Sequence, residues 1–239
     1  MIYQKPQIFM LHFAGGNSYS FVFLKEKISN AFEVHALELP GRGKRFKEEL
    51  IKNSEVAIDD YVQQIRSKRN NKPFIIYGHS MGATLGLFVA KKLERLLDIP
   101  SALVVTGNPG LGVKDEETAH KGKRYLMGET DFKEELRELG GVSDEILENE
   151  ELYSFFSPQI RADFEVIEKG LPSENIVIQS PVYAFMGAEE KCSDRIENWK
   201  RFTANHCNCD VWEGNHFFIN DHPEALVRIL EKSFDHSIN

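Results

Sequence analysis

Six short runs of strand character recur along the chain: Gln7–His12, Glu33–Leu37, Phe74–Tyr77, Ala102–Thr106, Val182–Met186 and Cys209–Trp212. Most of the segments between them carry helical periodicity, as in Glu55–Lys68 and Gly82–Leu97. Strands alternating with helices predict parallel βαβ units and a mostly parallel, doubly wound α/β sheet. The 239 residues are enough for one such domain, spanning 1–239. Residues 115–170 fit the alternation less well. They are charged and helix-rich, with breaks expected at Gly140-Gly141 and Ser157-Pro158, and read as a helical lid inserted within the domain. From Asp221 onward, Pro223 opens the periodic segment expected to form the closing helix.

Composition removes several function classes. A net charge of −8 is wrong for a nucleic-acid binder, which needs a basic stripe. Met1-Ile-Tyr-Gln-Lys-Pro6 lacks the apolar core of a signal peptide, and no apolar run reaches membrane-spanning length. Cys192, Cys207 and Cys209 make an odd count with no Cys-x-x-Cys pair, as expected of a cytoplasmic protein with free thiols. Cys207 and Cys209 beside His206 have metal-ligand chemistry, but the alternation into Asp210-Val-Trp reads as a strand and no metal site is expected.

The densest chemical signal is Gly78-His-Ser80-Met-Gly82, directly behind the apolar run Phe74-Ile-Ile-Tyr77 and directly before a helical segment. A serine at a strand–turn–helix junction is held in a strained conformation that lifts its hydroxyl above the sheet. Small residues at 78 and 82 let strand and helix approach one another. The competing reading is a turn that merely ends a strand.

Such a serine is inert without a base. His216, in Glu213-Gly-Asn-His216-Phe-Phe-Ile beyond the last strand, is placed to swing over the carboxyl edge of the sheet, and His222 is the second choice. His79 is adjacent in sequence to Ser80, where neighbouring side chains point apart, so packing or orientation is its expected role. His12 ends the first strand and reads as structural more readily than as site-lining. The acid that would orient the imidazole should follow the strand Val182–Met186. Gly187-Ala-Glu189-Glu190 and Asp194 all qualify. Glu190 stands three residues past the glycine, where this kind of site usually holds its carboxylate; Asp194 supplies the commoner residue type, and Glu189 is the third choice. The order Ser, acid, His agrees with α/β-hydrolases. An oxyanion hole would draw one amide from Met81 and another from Phe13 or Ala14, in the slim loop Phe13-Ala-Gly-Gly16.

Three segments together, Phe13-Ala-Gly-Gly16, Glu38-Leu-Pro-Gly-Arg-Gly-Lys-Arg45 and Tyr77-Gly-His-Ser-Met-Gly-Ala83, resemble the type II thioesterases that accompany non-ribosomal peptide and polyketide synthases. Gly-Asn-His216-Phe-Phe-Ile is similar to that family's Gly-Gly-His-Phe-Phe-Leu, and the resemblance runs through essentially the whole chain. It implies a hydrolase of the α/β-hydrolase fold that removes acyl groups from the phosphopantetheine thiol of acyl or peptidyl carrier proteins; nothing in the sequence points to an obligate dimer, and a cytoplasmic monomer is expected. The usual service is editing of stalled or misloaded synthases; release of a finished acyl or polyketide chain uses the same scheme, and a small-molecule carboxylesterase would share the triad. No metal or organic cofactor, nucleic acid or membrane is implied.

Arg42, Lys44 and Arg45 lie in the most discriminating of these segments; they form either a functional turn or a solvated basic loop. Two departures stand out. His12 replaces the family's usual proline, which implies a less rigid start to the oxyanion loop. Asn108-Pro-Gly-Leu-Gly replaces an Arg-containing segment, which bears on substrate preference. In the lid, Phe132, Leu136, Leu139, Ile146, Leu147, Leu152, Phe155, Phe156 and Ile160 recur at helical spacing, mostly to pack the lid, with a subset available for an acyl channel. Because carrier proteins are commonly acidic like this chain, docking would need a local basic patch, with Lys114, Lys121, Lys123 and Arg124 as candidates.

Overall fold

A computed structural model describes residues 4–28, 30–113, 122–172 and 175–235. The elements follow in the order β1 (Gln7–Leu11), α1 (Val22–Ile28), β2 (Glu33–Ala36), α2 (Ser54–Lys68), β3 (Phe74–His79) and α3 (Met81–Arg95). Then come β4 (Ala102–Thr106), α4 (Glu129–Leu139), α5 (Asp144–Glu148), α6 (Glu150–Glu168), β5 (Val182–Gly187), β6 (Cys207–Trp212) and α7 (Pro223–Asp235). The six strands form one sheet in the order β2-β1-β3-β4-β5-β6, with every pair parallel.

The strands show why this sheet must be covered on both sides. Along β1, Phe9 and Leu11 join the core beneath α2 and α3, whereas Ile8 and Met10 join the core beneath α1 and α7. All six residues of β3 are buried. A strand buried on both faces belongs in the interior of a parallel sheet with helices above and below. β6, at the edge, alternates instead, with Cys207 and Cys209 half-buried on one face and their Sγ atoms 3.5 Å apart. It begins two residues earlier than the alternation suggested.

Chain direction across the sheet reverses between β1 and β3. In open α/β sheets the crevice beyond the carboxyl ends of the strands at such a switch point is where ligands bind. Here it is bounded by the loop after Leu11 and by the turn at Ser80.

Three helices, α4 to α6, lie between β4 and β5 and have a core of their own around Phe132, Leu136, Leu147, Tyr153, Ile160 and Phe164. Gly140, left-handed at φ 75°, ends α4 as the sequence suggests. The break expected at Ser157-Pro158 does not occur: α6 runs unbroken from Glu150 to Glu168 with Pro158 inside. Proline removes one backbone hydrogen bond and crowds the turn before it. Ser157 and Gln159 to either side, and Tyr153 and Ile160 a few residues out, are buried, and that packing holds the helix together.

Candidate active site

Ser80 sits at φ 55° and ψ −112°, a backbone conformation that a residue with a Cβ adopts only under strain. Its surroundings enforce that turn. A Cβ on Gly78 would lie 2.2 Å from the Gly82 carbonyl oxygen, and a Cβ on Gly82 would lie 2.1 Å from that of Leu11. Both glycines are therefore spatial requirements of the elbow. The Ser80 amide donates to the Thr106 carbonyl at 2.8 Å, tying the turn to the end of β4. Asn108 adds a brace that sequence reasoning did not find, its Nδ2 donating to the Ser80 carbonyl at 3.3 Å and to Thr84 Oγ1 at 3.0 Å.

His216 and Glu190 meet because two loops cross. A Cβ on Gly187 would lie 2.4 Å from the Gly214 carbonyl oxygen and 2.3 Å from that of Asn215, so the chain leaving β6 passes directly over the end of β5. Glu189 N–H fastens the crossing by donating to the Gly214 carbonyl at 3.0 Å. Glu190 then folds back on its own turn: Oε1 accepts from Gly187 N–H at 2.8 Å, and Oε2 meets His216 Nδ1 at 2.5 Å. This fold-back is how the longer glutamate side chain fits where aspartate is commoner. With Nδ1–H given to the carboxylate, Nε2 is left as the acceptor. Asp194 and the Glu189 side chain are exposed, and neither bonds to the imidazole. His222 is engaged elsewhere, with Nε2 2.8 Å from the Glu213 carbonyl and its ring against Trp212.

The ring of His79 packs against that of His216, with centroids 4.9 Å apart, and its Nδ1 lies 2.8 Å from Thr106 Oγ1. Burial, with the His216 charge second, pushes its pKa well below the ordinary histidine value, so it is neutral. Gly107 makes room for both imidazoles: at φ 65°, a Cβ there would lie 2.5 Å from His79 Cε1 and 3.1 Å from His216 Cε1. The carboxyl end of β4 thus touches the serine turn and both histidines. Across the crevice, Phe217 packs on Phe13 at 4.9 Å, and a Cβ on Gly141, in the α4–α5 turn, would lie 2.6 Å from the Phe217 ring.

The amides of Met81, Phe13 and Ala14 donate to no acceptor among the described residues. Met81 opens α3, where first-turn amides have no intrahelical partner. The loop from His12 to Gly16 passes against this helix start, since the Cβ imagined on Gly82 would also lie 2.9 Å from the His12 carbonyl oxygen. His12 ties that loop down and so makes good the missing proline. Its Nδ1 donates to the Phe13 carbonyl at 2.8 Å, and Nε2 accepts from Leu39 N–H at 3.4 Å. Burial first, and Arg42 second, lower its pKa to about 4, consistent with that neutral tautomer.

The basic turn resolves residue by residue. Arg42 is buried against Asp163, Arg45 pairs with Glu48 and Asp60, and Lys44 faces solvent. Of the four cations suggested for docking, Lys114 and Lys121 lie outside the described residues. Arg124 is committed to Glu135 and Glu168, and Lys123 is exposed beside Tyr125. Phe132, Leu136, Leu147 and Ile160 are buried in the insertion's own core, whereas Phe155 is exposed. Among the described residues no group of three His, Cys, Asp or Glu is arranged to hold a metal ion, and no helix is long and apolar enough to cross a membrane.

The family model of the thioesterase domain matches residues 6–234. The chain belongs to the thioesterase family. Among similar thioesterases and biosynthetic proteins, the gramicidin S biosynthesis protein GrsT of Aneurinibacillus migulanus is 26% identical over 231 residues, covering 95% of this chain and 88% of the relative. The medium-chain S-acyl fatty acid synthase thioesterase of Rattus norvegicus is 26% identical over 234 residues, covering 91% and 84%. ClbQ, from the colibactin non-ribosomal peptide and polyketide pathway, superposes with a TM-score of 0.87 at 22% identity over 98% of both chains, a likeness of fold. The fold of this thioesterase is that of the α/β-hydrolases.

Proposed function

We propose that this thioesterase is a serine hydrolase of the type II kind, which removes acyl groups from the phosphopantetheine thiol of acyl or peptidyl carrier proteins in the cytoplasm and edits misloaded or stalled synthases. The observation that carries the catalytic part is the 2.5 Å contact between Glu190 Oε2 and His216 Nδ1, in the crevice where Ser80 stands in a strained turn.

Ser80 Oγ attacks the thioester carbonyl carbon while its proton passes to His216 Nε2. Glu190 fixes the imidazole tautomer and balances the imidazolium charge. The tetrahedral oxyanion is met by the amides of Met81 and of Phe13 or Ala14, each donor typically worth about 3–4 kcal/mol in the transition state. The C–S bond breaks, the thiolate takes the proton from His216, and an acyl-serine remains. Water then attacks the acyl-serine with His216 as base; the C–O bond to Ser80 breaks, the serine recovers its proton, and the carboxylic acid leaves. The sum is thioester plus water giving acid plus thiol, and the scheme needs no metal or organic cofactor. In this reading residues 115–170 act as a lid over the crevice, and the enzyme works as a monomer.

The relatives favour a second reading of the same chemistry. A fatty acid synthase thioesterase has the same 26% identity to this chain as the gramicidin S protein. Release of a finished medium-length chain is therefore the alternative to editing. Deacylation of carrier proteins loaded with acetyl and longer acyl groups, followed by intact-protein mass spectrometry for wild type and Ser80→Ala, tests both. Fast loss of acetyl and other short groups is expected for an editor. A steep preference for medium chains would mean product release, and intact carriers alongside cleaved nitrophenyl esters would mean a simple carboxylesterase.

A further inference from the structure

The ion pair between Arg42 and Asp163 is the most deeply buried among the described residues, with side-chain exposures of 1% and 0%. It is bidentate, Nη1 to Oδ2 at 2.6 Å and Nη2 to Oδ1 at 2.7 Å. Burial works against the charge on Arg42, but the charge and hydrogen bonds of Asp163, with Tyr61 and Glu38 adding to them, raise its pKa and keep the guanidinium ionised. Removing two charges from water is expensive, and apolar residues often serve stability as well or better at such positions. What this pair touches suggests why it is there.

Asp163 Oδ2 accepts a third hydrogen bond, from Gly15 N–H at 2.8 Å, and Arg42 Nη1 also donates to the Gly16 carbonyl at 3.3 Å. One helical turn earlier on α6, Gln159 Nε2 donates to the Gly15 carbonyl at 3.1 Å. Between these two polar residues the side chain of Ile160 fills the space where a Gly15 Cβ would stand, 2.9 Å away. Gly15, left-handed at φ 81°, is thus gripped at both its N–H and its C=O by residues four apart on α6. Arg42 ties the same grip to the turn after β2. The residue before Gly15 is Ala14, one of the two candidates for the second oxyanion amide.

We infer that Asp163, Arg42 and Gln159 are positioning residues for the oxyanion hole: they set the peptide planes around Gly15 and thereby aim the Phe13 and Ala14 amides at the reacting carbonyl. This rests on the serine-hydrolase reading above. It adds that the hole is assembled by α6, an element 148 residues away in sequence. Misdirecting a preorganised donor weakens the transition state while leaving substrate binding largely intact.

The test compares Gln159→Leu, Asp163→Asn and the charge-free double variant Arg42→Met/Asp163→Leu with wild type. Each preparation is titrated with a fluorophosphonate that labels the catalytic serine, so that rates are counted per reactive site. On a short acyl-pantetheine thioester, kcat is expected to fall roughly 10- to 100-fold in the two Asp163 variants and less in Gln159→Leu, with KM within about twofold. The affinity for a trifluoromethyl ketone, which forms the tetrahedral adduct, should fall in parallel with kcat/KM across the series. Unchanged kcat per titrated site and unchanged ketone affinity, with only a lower melting temperature, would reduce the pair to a structural one and overturn the inference. If an Asp163 variant does not fold, Gln159→Leu, which leaves no buried charge unpaired, decides on the same two readouts. Failure of the underlying reading looks different: wild type itself is not labelled, or is labelled equally in Ser80→Ala.

Discussion

Single residues carry most of the chemistry, and their legibility in the sequence depended on how local their partners are. Ser80 declares itself through glycines two positions to either side, and Glu190 through its distance from the end of β5. Arg42 could not be told from a solvated basic residue, because its partner Asp163 is 121 positions away on a helix with no motif. Asn108 carries no local signal for a related reason, since the Ser80 carbonyl and Thr84 that it braces lie 28 and 24 positions back in the chain. For Glu190→Gln we expect kcat/KM to fall about 10²–10⁴-fold with the melting temperature little changed, because the amide still accepts from Gly187 but no longer balances an imidazolium. Steady-state kinetics beside a thermal melt check this; near-wild-type turnover would remove Glu190 from the triad.

His12 gives a pH prediction of definite sign. Its folded pKa of about 4 lies below the 6.5 of the unfolded chain, so the unfolded state binds more protons between those values. The neutral form's stability is fully present above pH 6.5 and is lost as pH falls through the window to about 4, a change of about 3 kcal/mol. Asp163, Glu38 and Arg42 face this ring, and the first two offset part of the effect of burial. Urea unfolding at pH 7 and pH 4.5 should show a smaller pH difference for His12→Gln than for wild type. Equal differences would mean that His12 is not the group titrating. His79, depressed in the same direction by burial, adds a second contribution that His12→Gln leaves in place.

At the scale of elements, β1, β3, β4 and β5 were readable as apolar runs of four to six residues and the edge strands β2 and β6 through alternation, both strong local signals. The course of α6 was not. A Ser-Pro dipeptide argues for a break on local grounds, and the helix persists because tertiary burial on either side of it overrides propensity. Pro158 therefore sits in α6 at a local disadvantage. Replacing it with alanine is expected to stabilise the protein by about 1–3 kcal/mol, a rise in melting temperature of several degrees, readable by calorimetry. A fall instead would show that the proline shapes α6 for its grip on Gly15. The loop after β4 behaves in the opposite way. Gly107→Ala must both adopt φ 65° and displace His79, so stability and turnover should drop together.

For the molecule as a whole, the sequence indicated the class of sheet, while strand order and the crossing of two loops at Gly187 came only with the structure. The helical segment between β4 and β5 stands out in the sequence because it breaks the strand–helix rhythm. Its hydrogen bonds to the loop after β1 were invisible, since they run between side chains and backbone groups of no distinctive type. Net charge belongs to this scale as well. A chain of −8 approaching an acidic carrier is repelled at long range, and salt screens that repulsion. Raising ionic strength from roughly 0.02 to 0.2 M should therefore leave kcat/KM on a carrier-bound thioester level or increase it. A steep fall would instead locate a basic docking patch, with Lys123 among the first residues to replace.

Gly141 stands against Phe217, whose ring packs on that of His216. The helical segment comes down beside His216 and Phe217 at a point where a Cβ on Gly141 would lie 2.6 Å from an aromatic carbon. The space between this turn and the Phe217 ring is therefore graded by side-chain size at position 141, as a shim sets the gap beneath a hinge. Alanine, serine and valine at position 141 make a graduated series of wedges between the helical segment and Phe217, beside His216, without altering any residue assigned to the reacting atoms.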